Sequence, residues 1–130
     1  MTEYRNTIIR IDPKPAPRMV HSDKWKKRPI VLRYRKYRDD LRFLCSHSNV
    51  SVNAGVLGIL FIMPMPKSWS KKKRAAMNGK PHQQTPDLDN LIKAVQDTLF
   101  KDDSHIWKYS PPPYKIWGYI GTIIFKTKIQ

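Results

Sequence analysis

Val56-Leu57-Gly58-Ile59-Leu60-Phe61-Ile62-Met63 is apolar on both of its period-two faces. Such a run predicts a strand covered on both sides, in the middle of a sheet. Pro64 and Pro66 close it, because each removes a ladder donor. Upstream, Tyr34, Tyr37, Leu41, Leu44 and Cys45 recur at helical spacing, with Arg33, Lys36 and Arg42 on the other faces. The spacing predicts an amphipathic helix over 31–47, ended by Asn49 and Ser51. Ile8, Ile9 and Ile11 mark a first strand over 4–11. Between them, Pro13, Pro15 and Pro17 forbid regular pairing, and 14–28 holds Lys14, Arg18, Lys24, Lys26, Lys27 and Arg28 against Asp23 alone, a basic loop.

Downstream, 67–86 is polar and basic through Lys67, Lys71, Lys72, Lys73, Arg74 and Lys80, with a short helix expected over 70–77 and a turn at Asn78-Gly79. Pro81 and Pro86 keep the remainder extended. Leu88, Leu91, Ile92, Val95 and Leu99 form one stripe of a second helix over 88–100, expected to pack on the sheet. Segments 106–109 and 115–125 read as strands divided by Pro111-Pro112-Pro113, and a long hairpin is the expected pairing. The order β, α, β, α, β, β predicts one α+β domain over 1–130, a mixed sheet of about four strands with two main helices packed on it.

Twenty-five basic residues stand against 10 acidic ones in 130, a formal charge of +15. That field attracts polyanions, and nucleic acid leads over an anionic membrane or a merely basic solubility. No apolar run reaches the roughly 18 residues that a bilayer requires. Met1 precedes a charged stretch, and Cys45 is the single cysteine, so the expectation is a soluble, unexported protein of a reducing cytoplasm with no disulfide or thiolate zinc site. Trp25, Trp69 and Trp107 are candidates for stacking on exposed bases, with core packing as the alternative.

Five of the 10 acidic residues, all aspartates, fall between Asp87 and Asp103. Short carboxylates of this kind suit Mg²⁺, whose shell waters and phosphate oxygens complete. Residues two apart on a helix do not face each other, so Asp87 and Asp89 cooperate only if Asp87 is the N-cap and Asp89 lies in the first turn. Asp89, Lys93 and Asp97 then make a polar row turned away from the core. Asp102 and Asp103 oppose the helix macrodipole and are poor stabilisers there. Taken singly, these residues read better as a cap, an exposed ion pair and a solvated turn; as a set with basic loops on either side they point equally to metal-dependent phosphodiester chemistry.

Asp87-Leu88-Asp89-Asn90-Leu91-Ile92-Lys93, followed by Asp97 and by Asp102-Asp103-Ser104-His105-Ile106, resembles the signature of the RusA family of Holliday-junction resolvases. The resemblance implies that Asp87, Asp89 and Asp103 are the acidic active-site residues and metal ligands, and that Lys93 is required. It implies a Mg²⁺-dependent endodeoxyribonuclease, with Mn²⁺ able to substitute, that cuts four-way DNA junctions as a homodimer. The expected setting is the cytoplasm of a bacterial or phage-infected host cell, in recombination and repair. Arg18, Lys24, Lys26, Lys27, Lys71, Lys72, Lys73, Arg74 and Lys80 are the expected phosphate-binding residues. Two departures stand out: Gln83-Gln84-Thr85-Pro86 occupies the place of an arginine run, and the spacer before Asp102 is short. A cation beside the site must therefore come from elsewhere, with Lys80 and the loop around Lys71 as candidates. The alternatives are a non-catalytic basic DNA- or RNA-binding protein and a Mg²⁺ nuclease of flaps or forks.

Overall fold

The computed structural model describes residues 3–17, 29–50, 52, 54–101 and 103–129, with Asp103 described by its backbone alone. The elements run β1 (Tyr4–Ile9), α1 (Pro29–His47), β2 (Val56–Leu57), β3 (Ile59–Pro64), α2 (Lys71–Met77) and α3 (Leu88–Leu99). A 3₁₀ turn (Asp103–His105) follows, then β4 (Lys108–Tyr109), β5 (Lys115–Gly118) and β6 (Thr122–Lys128). The α+β expectation holds: four strands in the order β1-β6-β3-β5 form a mixed sheet, since β3 runs antiparallel to β6 and parallel to β5.

The apolar run of 56–63 supplies the inner strand, as its two-faced pattern predicts, with Ile59, Leu60, Phe61 and Met63 buried. It is two strands rather than one. At Gly58 the chain passes from the small β2-β4 sheet to the main one, and its carbonyl accepts the Lys126 N–H at 2.9 Å. A Cβ at Gly58 would strike the carbonyl oxygens of Lys126 and Ser110, so this crossing is open only to glycine.

α1 turns Val31, Tyr34, Tyr37, Leu41 and Cys45 inward, and α3 turns in Leu91, Ile92, Ala94 and Val95. Most of these side chains meet Phe61, Met63, Trp117, Ile123 and Phe125 of the sheet in one core. Burial pushes the Cys45 thiol up to about 11 and the Tyr37 hydroxyl up to about 12, so both stay protonated and serve as packing groups. α2 is a surface helix with no buried residue, started by Ser70, whose Oγ accepts the Lys73 N–H at 3.1 Å.

The expected hairpin of 106–109 with 115–125 does not form. β4 pairs in parallel with β2, held by Trp107 N–H to the Gly55 carbonyl at 3.0 Å and Ser110 N–H to the Leu57 carbonyl at 3.1 Å. Three consecutive prolines then carry no donors for a returning ladder. The 115–125 stretch is also broken, because Gly118-Tyr119-Ile120-Gly121 divides β5 from β6 and the two strands flank β3 on opposite sides. Gly118 lies against Ile62, where any Cβ would collide with the Ile62 Cγ2 atom.

Candidate active site at the head of the third helix

Pro86 delivers an extended residue, Asp87 (φ −68°, ψ 145°), to the N-cap of α3. Its carbonyl accepts the Leu91 N–H at 3.2 Å, the first bond of the helix. Its carboxylate makes no capping bond, so the side chain is not spent on the orphan amides that an N-cap aspartate ordinarily satisfies. Asp89 stands exposed in the first turn. This is the straddling arrangement that helical geometry requires of a cooperating pair.

Lys93 follows one turn later, and its ammonium pairs with Asp97 at 3.5 Å. Both groups are partly solvated, so the pair contributes only a few tenths of a kcal/mol and is readily exchanged for another anion. Asp97 departs from the outward polar row. It is half-buried, accepts the Tyr34 hydroxyl of α1 at 3.4 Å, and offers its backbone carbonyl to Arg38 at 2.9 Å. Its role is to join α1 to α3.

The 3₁₀ turn that opens at Asp103 begins four residues after α3 ends, which returns this aspartate as the first residue of the next element. Asp102 and the Asp103 side chain lie outside the described residues. Among the described residues no three His, Cys, Asp or Glu side chains gather closely enough to hold a metal ion. Two exposed, uncommitted carboxylates at one helix start are a fitting partial shell for a small hard cation that keeps several waters.

A cation that the sequence did not single out stands beside Asp87. It is Lys115, the first residue of β5, whose ammonium donates to the Gln84 carbonyl at 2.5 Å and the Pro86 carbonyl at 2.6 Å. Burial lowers its pKa, and the Asp87 charge opposes that shift, which puts the two groups within electrostatic reach. Beneath it lies His82, 6% exposed, with its ring 4.2 Å from that of Trp117. Burial, and after it the Lys115 charge, lowers the imidazole pKa.

Lys71, Lys72, Lys73 and Lys80 are exposed and Arg74 half-buried, a cationic surface on α2 and the following turn. Lys73 lies over the Trp69 ring at 4.2 Å, and Trp69 packs against Trp117 at 4.8 Å, so Trp69 belongs to the support of α2. Trp107 is 71% exposed, with its indole N–H on the Ala54 carbonyl at 2.8 Å. Arg18, Lys24, Lys26, Lys27 and Trp25 lie outside the described residues. The chain reaches that stretch from the site itself, because the Ala16 N–H donates to the carbonyl of Asn90, in the first turn of α3, at 3.2 Å.

A family model described as Endodeoxyribonuclease RusA matches residues 10–118, which take in α1, the aspartate motif and β5. No curated protein matches the chain.

Proposed function

The chain belongs to the RusA family of endodeoxyribonucleases, and from that premise we propose that it resolves four-way DNA junctions by Mg²⁺-dependent, paired hydrolysis of phosphodiester bonds. The observation that carries this reading is the carboxylate pair at the head of α3, with Asp87 free of capping duty and Asp89 one step into the helix.

Asp87, Asp89 and Asp103 are the residues that would hold the ion. When bound, Mg²⁺, or Mn²⁺ in its place, supplies a water of lowered pKa and positive charge beside the scissile phosphate. The carboxylates fix that centre on a rigid helix start, which sets where the attacking water stands relative to the phosphorus. Lys93 exchanges Asp97 for the phosphate or the departing 3′ oxygen, leaving a 5′-phosphate and a 3′-hydroxyl. The cationic residues of α2, with Lys80 and the 18–28 stretch, grip the backbone without reading sequence. One chain carries one aspartate set, so two symmetric cuts call for a homodimer whose axis coincides with that of the junction. Such an enzyme works on recombination and repair intermediates in the cytoplasm of a bacterial or phage-infected cell.

The test is incubation with synthetic four-way junctions, flaps and forks, with and without Mg²⁺, beside Asp87→Asn and Asp89→Asn. Paired nicks in junctions that depend on metal are expected. Each variant should lose about a thousandfold or more in rate, the equivalent of several kcal/mol of transition-state stabilisation. Junctions left intact across several sequences would overturn the enzyme reading in favour of DNA recognition alone, and equal cutting of flaps and forks would overturn the junction preference.

A further inference from the structure

β5 is an edge strand of the main sheet, and the chain before the aspartate motif is laid along its outer side. Trp117 N–H donates to the Lys80 carbonyl at 2.9 Å, His82 N–H donates to the Lys115 carbonyl at 3.1 Å, and Pro81 lies opposite Ile116. Past His82 this backbone ladder stops, and the Lys115 side chain takes over. Its ammonium binds the carbonyls of Gln84 and Pro86, two short charge-assisted bonds that span the last three residues before Asp87. On its other side Asp87 is fixed by the first helical bond, Leu91 N–H to its carbonyl. The Asp87 backbone is thus held from both directions while its carboxylate is left out of the cap. An ammonium has donors enough for two carbonyls and keeps its positive charge beside the carboxylate.

We propose that Lys115 is a positioning residue of the active site, clamping residues 84–86 so that the Asp87 carboxylate stands in place for the metal ion. The proposal rests on the nuclease reading above. It separates two roles for cations at the site: Lys93 faces the phosphate, and Lys115 faces the protein and acts through Asp87.

The full-length Lys115→Met protein tests this with three readouts. In the DNA-free protein, Mn²⁺ affinity measured by electron paramagnetic resonance should weaken roughly 10- to 100-fold, as losses of supporting contacts around metal ligands do. The Mg²⁺ concentration for half-maximal junction cleavage should rise by a similar factor, while junction affinity in EDTA is unchanged. Amide hydrogen exchange over 84–90 in metal-free protein should accelerate. Lys115→Arg, which keeps a charged donor pair, should recover most of the Mn²⁺ affinity. In an Asp87→Asn background, Lys115→Met should add little further loss, since two residues acting through one ligand are not additive. A folded Lys115→Met protein with wild-type Mn²⁺ affinity and Mg²⁺ requirement overturns the role of Lys115 alone. Wild-type protein that neither binds Mn²⁺ nor cuts overturns it together with the nuclease reading. Should Lys115→Met not fold, Lys115→Gln takes its place with the same outcomes.

Discussion

His82 shows how a buried group ties the approach to the site to pH. Its pKa is lowered by burial and then by Lys115, so the folded protein resists a proton that the unfolded chain accepts. The unfolded state therefore binds more protons as pH falls below the ordinary histidine value of about 6.5. Stability is complete above that value and declines as pH drops from it towards the lower folded pKa. Thermal unfolding midpoints measured across this interval should fall in the wild type, and His82→Phe should flatten the decline. The places of Asp87, Asp89 and Lys93 on the helix were legible in the sequence because a helix start, a first turn and an i,i+4 step are local patterns. Lys115 was not. It reaches the motif from 28 residues beyond Asp87 and binds main-chain carbonyls, which carry no residue signature. Asp97 misled for a related reason, since its partner Tyr34 belongs to another helix.

Helices were easier to read than strand pairings. The stripes of α1 and α3 are long enough to fix type and facing, and the short helix expected over 70–77 forms as α2, with Ser70 as its cap. The strands failed where glycine allowed what periodicity forbids. The 56–63 run looks continuous because Gly58 interrupts no apolar pattern, yet its bare backbone passes between the carbonyls of Lys126 and Ser110. Gly58→Ala should therefore cost about 1–3 kcal/mol through overpacking. The check is the urea midpoint, with secondary structure content otherwise retained. At β5 and β6 the two-residue β4 was captured by β2, leaving β5 to lie parallel to β3, a long-range choice that no turn residue declares.

For the molecule as a whole, the net charge bears on how DNA is approached, and the proposed function assigns the cut to the carboxylates. A net +15 on 130 residues favours binding to DNA through counterion release. If 6–10 phosphates are contacted, binding should weaken by roughly 10³–10⁵ between about 50 and 200 mM salt, measured by a filter or fluorescence titration in EDTA. Neutralising Lys71, Lys72 and Lys73 together should lower the slope, by roughly one phosphate for each lysine in contact with the backbone.

The sheet order also bears on how the protein is made. β1 has β6 as its neighbour in the main sheet, with Tyr4 opposite Lys128. β1 must wait for a mate synthesised after all the described elements between them, and β3 stays open along one side until the same moment. A nascent chain halted after α3 has already been given Asp87, Asp89 and Lys93, but neither the strand that bears Lys115 nor the strand that closes the sheet. On the proposed function, the aspartates that would hold the ion are therefore made before the lysine proposed to position one of them, and the strand that closes the sheet comes after both.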